Sequence, residues 1–135
     1  MGEISRKFFV VALAILALAV ACAIPGEREI NAGPDGGHVV TRKGDVLVVP
    51  LDSNPTTGYR WEVSEIDTNI LKQKGDPEYT PNSAANPPVL GAGGKQTFRF
   101  DVVGTGETTL KLVYRRSWEK DTAAAQTYTV QVTAR

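Results

Sequence analysis

Cysteine and histidine are almost absent from this chain of 135 residues, which has one of each, Cys22 and His38. A single thiol excludes an internal disulfide and any metal site built from several cysteines. One imidazole also leaves a zinc site short of its usual nitrogen and sulfur ligands. His38 has no evident serine or cysteine partner, which disfavours catalysis by an activated nucleophile. We therefore expect no catalytic residues, no metal and no other cofactor.

An excess of charge of either sign is also lacking, because fifteen lysines and arginines balance fifteen aspartates and glutamates. Without a basic stripe there is little to attract phosphate groups, so we expect no nucleic-acid partner. The length suits one domain plus a targeting segment. An apolar content of 41% is enough for that domain to form a single core without disulfides.

The N-terminal segment has the pattern of an export signal. Arg6 and Lys7 precede an apolar run over residues 8–21, which is short for a bilayer span and suits a signal peptide. The run ends in Ala-Val-Ala-Cys at residues 19–22, which fits signal-peptidase cleavage and resembles a bacterial lipobox with Cys22 as the lipidated residue. We predict a signal peptide over 1–21 and a cell-surface or periplasmic lipoprotein. Simple secretion and a retained N-terminal helix stay open as alternatives.

Removing residues 1–21 takes away Glu3, Arg6 and Lys7, which leaves thirteen basic and fourteen acidic residues. Electrostatic binding to membranes is therefore not expected, and membrane contact would come only from a lipid on Cys22 or from an uncleaved helix. Residues 22–37 contain two prolines and four glycines without apolar periodicity, which predicts a tether or irregular lead-in. We assign residues 38–135 to the folded domain, which we expect to be monomeric.

Five stretches of this domain have the patterns of β-strands. One is apolar on both faces and rich in β-branched residues, and the other four place apolar side chains at every second position. They are Asp45–Leu51, Tyr59–Ser64, Thr97–Val103, Thr108–Arg115 and Thr127–Thr133. About seven short strands in roughly 100 residues are typical of an immunoglobulin-like sandwich. The sequence therefore predicts an all-β, antiparallel β-sandwich without the disulfide of antibody domains.

The connections are less regular. Residues 66–74 are compatible with a turn or a short strand. Four prolines in residues 76–88 predict a long loop, and Gly-Thr-Gly-Glu at 104–107 predicts a tight connection that we interpret as a hairpin.

Three loops have compositions that strand packing alone does not explain. The first loop, Asn54-Pro55-Thr56-Thr57-Gly58, combines a proline with a glycine and should be rigid and protruding. The second, Leu90-Gly91-Ala92-Gly93-Gly94, would let another backbone come close. The third, Arg115-Arg116-Ser117-Trp118-Glu119, places a tryptophan among charged residues.

Each loop alone also fits a structural role. The first and second could be turns only, and Trp118 could lie at the edge of the core. An exposed Trp118 would instead resemble an interface hot spot. Trp61 has apolar neighbours at period two, so we assign it to the core.

The order of the three loops resembles the chagasin-like family of cysteine protease inhibitors. That family has an NPTTG[YF] motif followed by a tryptophan-containing strand, a GxGG loop and a Y-x-R-P-W motif. The matching residues here are Asn54–Tyr59 with Trp61, then Gly91–Gly94, then Tyr114–Trp118. The resemblance covers about residues 38–134. Ser117 stands where the family usually has proline, and we expect the loop that aims Trp118 to be less preorganised for that reason.

The resemblance implies an immunoglobulin-like sandwich that presents the three loops side by side, with papain-like cysteine proteases as partners. The first loop would lie over the protease's cysteine–histidine pair through Thr56, Thr57 and Gly58. Trp118 would pack on the primed side with Arg116 adding a polar contact, and the second loop would follow the non-primed side. Inhibition would be competitive, reversible and non-covalent, and the protein would not be an enzyme.

Other functions are compatible with parts of the sequence. A surface adhesion or ligand-binding module would explain export, fold and an exposed Trp118, although it leaves the accompanying NPTTG and GAGG sequences unexplained. A carboxylate pair for glycoside hydrolysis lacks a recognisable setting. A calcium site at Asp76 and Glu78 has no motif behind it.

Overall fold

The computed structural model of the chain describes residues 26–82 and 92–135. In these two ranges the chain forms nine strands and one short 3-10 helix at Pro55–Thr57. Within them, no helix has the length and apolar character needed to cross a bilayer. The strands are β1 (Glu29–Asn31), β2 (His38–Thr41), β3 (Val46–Ser53), β4 (Tyr59–Glu65), β5 (Leu71–Gln73), β6 (Glu78–Pro81), β7 (Gly94–Val102), β8 (Gly106–Arg116) and β9 (Gln126–Ala134).

Two mixed sheets form the sandwich. The first sheet has the order β1-β3-β7-β5, with β6 also paired to β7, and the second has the order β2-β9-β8-β4. Most pairs are antiparallel, whereas β1 lies parallel to β3 and β2 parallel to β9. The predicted all-β sandwich is confirmed, with two short parallel pairings that the alternation of residues did not indicate.

The core lies between the sheets and follows the predicted alternation. β3, β7, β8 and β9 bury alternate side chains over most of their length, because successive residues of a strand point to opposite faces. The buried residues of these strands include Leu47, Val49, Phe98, Phe100, Val102, Leu110, Leu112, Tyr114, Val130 and Val132. Trp61 is 5% exposed and belongs to this core, as predicted.

The lead-in predicted over residues 22–37 is not a free tether in its described part, because it contains β1. The Arg28 guanidinium binds both carboxylate oxygens of Asp45, at 3.0 and 2.7 Å. The backbone N–H of Val46 donates to the Arg28 carbonyl at 2.9 Å. These contacts bring the segment alongside β3, and its strand character depends on that non-local partner.

Two further predictions were wrong. Residues 78–81 of the predicted loop form β6, whose four residues are all exposed and which is held by its pairing with β7. The stretch 83–88 of that loop lies outside the described residues. The connection at 104–107 is not a hairpin, because β7 and β8 belong to different sheets and the chain crosses between them here.

Asp45 should make the stability of the fold depend on pH. Hydrogen bonds from the Arg28 guanidinium hold the pKa of this nearly buried carboxyl below its usual value. A carboxyl with a lowered folded-state pKa stabilises the fold above its unfolded pKa, and this contribution is lost as the pH falls through the folded pKa. In urea unfolding, we expect Asp45→Asn to be less stable than the wild type at pH 7. The difference should shrink towards pH 2, and a constant difference would contradict this role.

Candidate functional site

The strand registers place the residues that flank the three loops at one end of the sandwich. Ser53, which precedes the first loop, lies opposite Gly94 at the end of the second. Tyr59, which follows the first loop, lies opposite Arg116 in the third. The sandwich therefore brings together segments that are separated by about 60 residues in sequence.

The first loop is a closed turn. Pro55–Thr57 form one turn of 3-10 helix, in which the Thr57 N–H donates to the Asn54 carbonyl at 3.2 Å and the Gly58 N–H to the Pro55 carbonyl at 3.1 Å. Gly58 ends the turn with φ +80°, a left-handed conformation that favours glycine. The predicted rigid, protruding loop thus has a defined backbone conformation.

Threonine hydroxyls add a second set of hydrogen bonds to this turn. The Thr57 hydroxyl donates to the Asn54 carbonyl at 2.6 Å, and the Thr56 hydroxyl donates to the Asn54 side-chain oxygen at 2.5 Å. The Asn54 side chain does not cap the turn's backbone, which differs from the usual role of asparagine before a helix. Both threonines remain exposed at the tip of the loop.

The third loop turns back on itself directly after β8. The Glu119 N–H donates to the Arg116 carbonyl at 3.1 Å, and the two side chains form an ion pair at 3.2 Å. Ser117 and Trp118 are the central residues of this turn, and the Trp118 side chain is 68% exposed. Of the two positions that the sequence left open for Trp118, the structure thus shows the exposed one and not the edge of the core.

Trp118 lies against the first loop. A β-carbon added at Gly58 would be 2.6 Å from Cη2 of the indole ring, so the ring rests on the glycine where no side chain intervenes. Gly58 therefore has two roles, since it takes a left-handed conformation and leaves room for Trp118. The first and third loops form one continuous surface.

Three neighbouring aromatic rings, those of Tyr59, Tyr114 and Trp61, form an aromatic column that connects this surface to the core. The Tyr114 ring lies 5.1 Å from Trp61 and 5.3 Å from Tyr59, between centroids. The Arg116 guanidinium lies 4.5 Å above the Tyr59 ring and donates from Nε to the Thr57 carbonyl at 3.2 Å. Such stacking and cation–π contacts fix the orientation of the groups involved.

The second loop is described only in part, because Leu90 and Gly91 lie outside the described residues. Ala92 is exposed and Gly93 has φ +71°. Gly94 is buried, and an added β-carbon there would collide with the Thr80 carbonyl oxygen and the Tyr79 ring. These glycines thus permit close packing of β7 against β6 next to the first loop.

Arg115 lies apart from the other predicted site residues. Its Nε donates to the Glu62 carboxylate at 3.0 Å, on the face of the second sheet that points away from the core. Its neighbour Arg116 points to the loops, because adjacent residues of a strand face opposite sides. The two arginines could not be separated before the register of β8 was known.

Sequence reasoning missed two contributors to the site. Glu119, which holds Arg116, was noticed only as part of a charged stretch. Gln96 lies below the first loop and was not considered, although a polar residue in the inward-facing series of β7 was a readable signal. Within residues 26–82 and 92–135, no group of three or more acidic, histidine or cysteine side chains could hold a metal ion.

Comparison with known proteins identifies the family. The family model described as chagasin family peptidase inhibitor I42 matches residues 40–132, more than half of the chain. The chain belongs to the chagasin family. It is therefore a peptidase inhibitor and not an enzyme. Amoebiasin-1 from Entamoeba histolytica is 34% identical over 96 residues, which cover 70% of this chain and 86% of that protein.

Solved structures of similar proteins share the fold. The cysteine protease inhibitor EhICP2 from Entamoeba histolytica superposes with a TM-score of 0.63 at 23% identity, covering 80% of this chain and 94% of that one. The structure of PbICP-C in complex with falcipain-2 has a TM-score of 0.52 at 18% identity, covering 80% and 99% of the two chains. Nothing in these matches favours an adhesion module.

The turn at Arg116–Glu119 explains why a proline would fit at Ser117. Position 117 is the second residue of the turn, where proline is favoured, and its φ is not positive. We expect Ser117→Pro to stabilise the domain by about 0.4–1 kcal/mol, because it restricts the unfolded chain. The measurement is the free energy of unfolding in urea, and a loss of stability would contradict this description of the turn.

Proposed function

We propose that this chain inhibits papain-like cysteine proteases reversibly and competitively, as a monomer that fills the active-site cleft with its three loops. The observation that carries the proposal is the packing of the exposed Trp118 on Gly58, which joins the first and third loops into one protruding surface. Membership in the chagasin family and the complex of PbICP-C with falcipain-2 support the class of target.

The first loop would enter the catalytic centre, with Thr56, Thr57 and Gly58 over the cysteine–histidine pair of the protease. The chain would contribute no nucleophile there, and the threonine hydroxyls donate hydrogen bonds within the loop. A closed 3-10 turn also presents no extended peptide for cleavage. The turn is ordered before binding, so less conformational entropy is lost when the complex forms.

The other loops would extend the contact to both sides of the cleft. Trp118 would pack on the primed side, where a large aromatic side chain excludes water from neighbouring contacts. Arg116 would add a polar contact while its Nε stays bound to the Thr57 carbonyl. Leu90–Gly94 would follow the non-primed side, where missing side chains allow close approach.

Two substitutions test the surface of the first and third loops. Thr57→Arg places a long cation at the loop tip and removes the hydrogen bond from the Thr57 hydroxyl to the Asn54 carbonyl. Trp118→Ala removes the exposed ring. In titrations of papain with a fluorogenic peptide substrate, we expect each to raise the inhibition constant by about 30-fold or more, as at an interface hot spot. Absence of inhibition by the wild type at tens of micromolar, against several papain-like enzymes, would refute the proposed function.

A pair of glycine substitutions provides a matched control for the same assay. Gly58→Ala and Gly33→Ala introduce the same methyl group at similar φ values, +80° and +77°. Only the methyl group at position 58 meets the Trp118 ring, since nothing lies within 4 Å at position 33. A larger loss of inhibition for Gly58→Ala would therefore report displacement of Trp118 rather than backbone strain alone.

We also propose export with a lipid on Cys22, on the sequence of residues 1–22, which lies outside the described part of the chain. The register of β1 beside Val46 supports an N-terminal tether that leaves the domain at the end opposite the loops. Mass spectrometry of the mature N-terminus, after expression in a bacterium that processes lipoproteins, tests this. We expect an acylated Cys22, and an unmodified N-terminus would favour simple secretion.

A further inference from the structure

Gln96 is a polar residue in an otherwise apolar series. It lies on β7 and shares the inward-facing side of that strand with Gly94, Phe98 and Phe100. It is half-buried near the loop end of the sandwich, opposite Leu51 on β3 and Tyr79 on β6. A buried polar group is costly unless it is hydrogen-bonded, so its partners explain its position.

The partners of Gln96 lie on two other strands. Its side-chain oxygen Oε1 accepts from the Trp61 N–H at 3.1 Å and from the Ser53 hydroxyl at 3.4 Å. Its Nε2 donates to the Trp61 carbonyl at 3.3 Å. One donor and one acceptor on the same backbone residue leave the amide a single orientation that satisfies both.

These bonds take the place of pairing with a further strand of the second sheet. Trp61 is on β4, which is an edge strand of the second sheet. The Gln96 amide therefore binds the N–H and C=O of this edge residue much as an adjacent strand would, and it links the two sheets at that point. The Trp61 indole N–H donates to the Asp52 carbonyl at 2.8 Å, which ties β4 to β3 as well.

Both partners of Gln96 flank the first loop. Ser53 directly precedes Asn54, and Trp61 follows Tyr59 by two residues. One side chain thus holds both strands from which the loop emerges. Gly94, two residues before Gln96, is also the end of the second loop.

We infer that Gln96 is a positioning residue for the inhibitory surface: its amide sets the separation of Ser53 and Trp61 and thereby the direction of the loop Asn54–Gly58. This inference rests on the proposed function, because it assigns Gln96 an effect on protease binding without contact with the protease. The loop has its own internal bonds, so Gln96 orients an already formed turn.

The test compares Gln96→Met with Gln96→Glu in the full-length chain, purified in mild detergent. Methionine has a similar length and no strong hydrogen-bonding group, so it removes all three bonds. Glutamate keeps the acceptor for the Trp61 N–H and the Ser53 hydroxyl but loses the donor to the Trp61 carbonyl. We expect Gln96→Met to raise the inhibition constant for papain about tenfold, and Gln96→Glu to recover part of the affinity, since two of the three bonds remain. A change in side-chain volume alone would not favour glutamate over methionine. Tighter inhibition by the variant that keeps the acceptor therefore indicates that the hydrogen bonds position the loop.

Thr109→Val is the matched control. It removes another hydrogen bond between side chains, from Thr109 to Gln131 at 3.0 Å, near the end of β8 that lies away from the loops. We expect it to change the inhibition constant less than twofold. If Gln96→Met does not fold, Gln96→Asn takes its place, because the shorter side chain cannot span the same partners.

A second measurement is independent of any protease. Hydrogen exchange of the Asn54 amide reports the position of the loop on the core, since this N–H donates to the Tyr114 hydroxyl at 3.0 Å. We expect faster exchange at this amide in Gln96→Met and unchanged exchange at the Thr57 and Gly58 amides, whose bonds lie within the turn. If the wild type inhibits and Gln96→Met inhibits equally well, the inference is overturned while the proposed function stands. If the wild type inhibits nothing, the proposed function fails, and unchanged exchange at the Asn54 amide would then overturn the positioning role separately.

Discussion

The contact between Tyr114 and the first loop is the constraint on which the site depends. The Tyr114 ring is buried against Trp61, and its hydroxyl accepts a hydrogen bond from the Asn54 N–H at 3.0 Å. A core side chain therefore binds the first residue of the loop directly. Buried aromatic side chains contribute strongly to stability, and a tyrosine keeps a polar end for such a partner. The position of the loop is consequently coupled to the packing of the core.

This coupling replaces covalent reinforcement. The chain has a single cysteine, so no internal disulfide can hold the loops. Order at the loop end instead comes from many modest contacts: the turn hydrogen bonds, the aromatic column and the bonds from Arg116 to Thr57 and Glu119. Each such hydrogen bond contributes about 0.5–1.5 kcal/mol, or more when a charged group takes part. Rigidity of the loop surface is thus distributed over several residues.

The fold could be predicted where a strand buries one face, because such burial produces alternating apolar and polar residues in the sequence. β7, β8 and β9 each bury one face, and their alternation of apolar and polar residues is clear. β6 could not be predicted in this way, since all four of its residues are exposed and Pro81 ends it. β1 was missed for a related reason, because a three-residue parallel pairing depends on a partner more than a dozen residues away.

For the site too, features set by residues close in sequence could be predicted, and features set by contacts between distant residues could not. The composition of Asn54–Gly58 indicated a rigid turn, because proline and glycine act on their own backbone. The contact of Trp118 with Gly58 joins residues 60 positions apart, and it became visible only once the strands were in register. The different directions of Arg115 and Arg116 required the same information. Gln96 is an intermediate case, since its polarity in an inward series could be noticed while its partners on β3 and β4 could not.

Both ends of the described chain lie at the end of the sandwich opposite the loops. Glu29 lies beside Val46 at the start of β3, and Ala134 lies beside Thr41 and Gly106 at the far end of the second sheet. Neighbouring domains joined at either end would therefore leave the loop surface uncovered. Copies linked in series would each keep a free binding face, and a short linker would give them a high effective concentration towards clustered targets. The topology thus leaves the loop surface independent of what is attached at the opposite end.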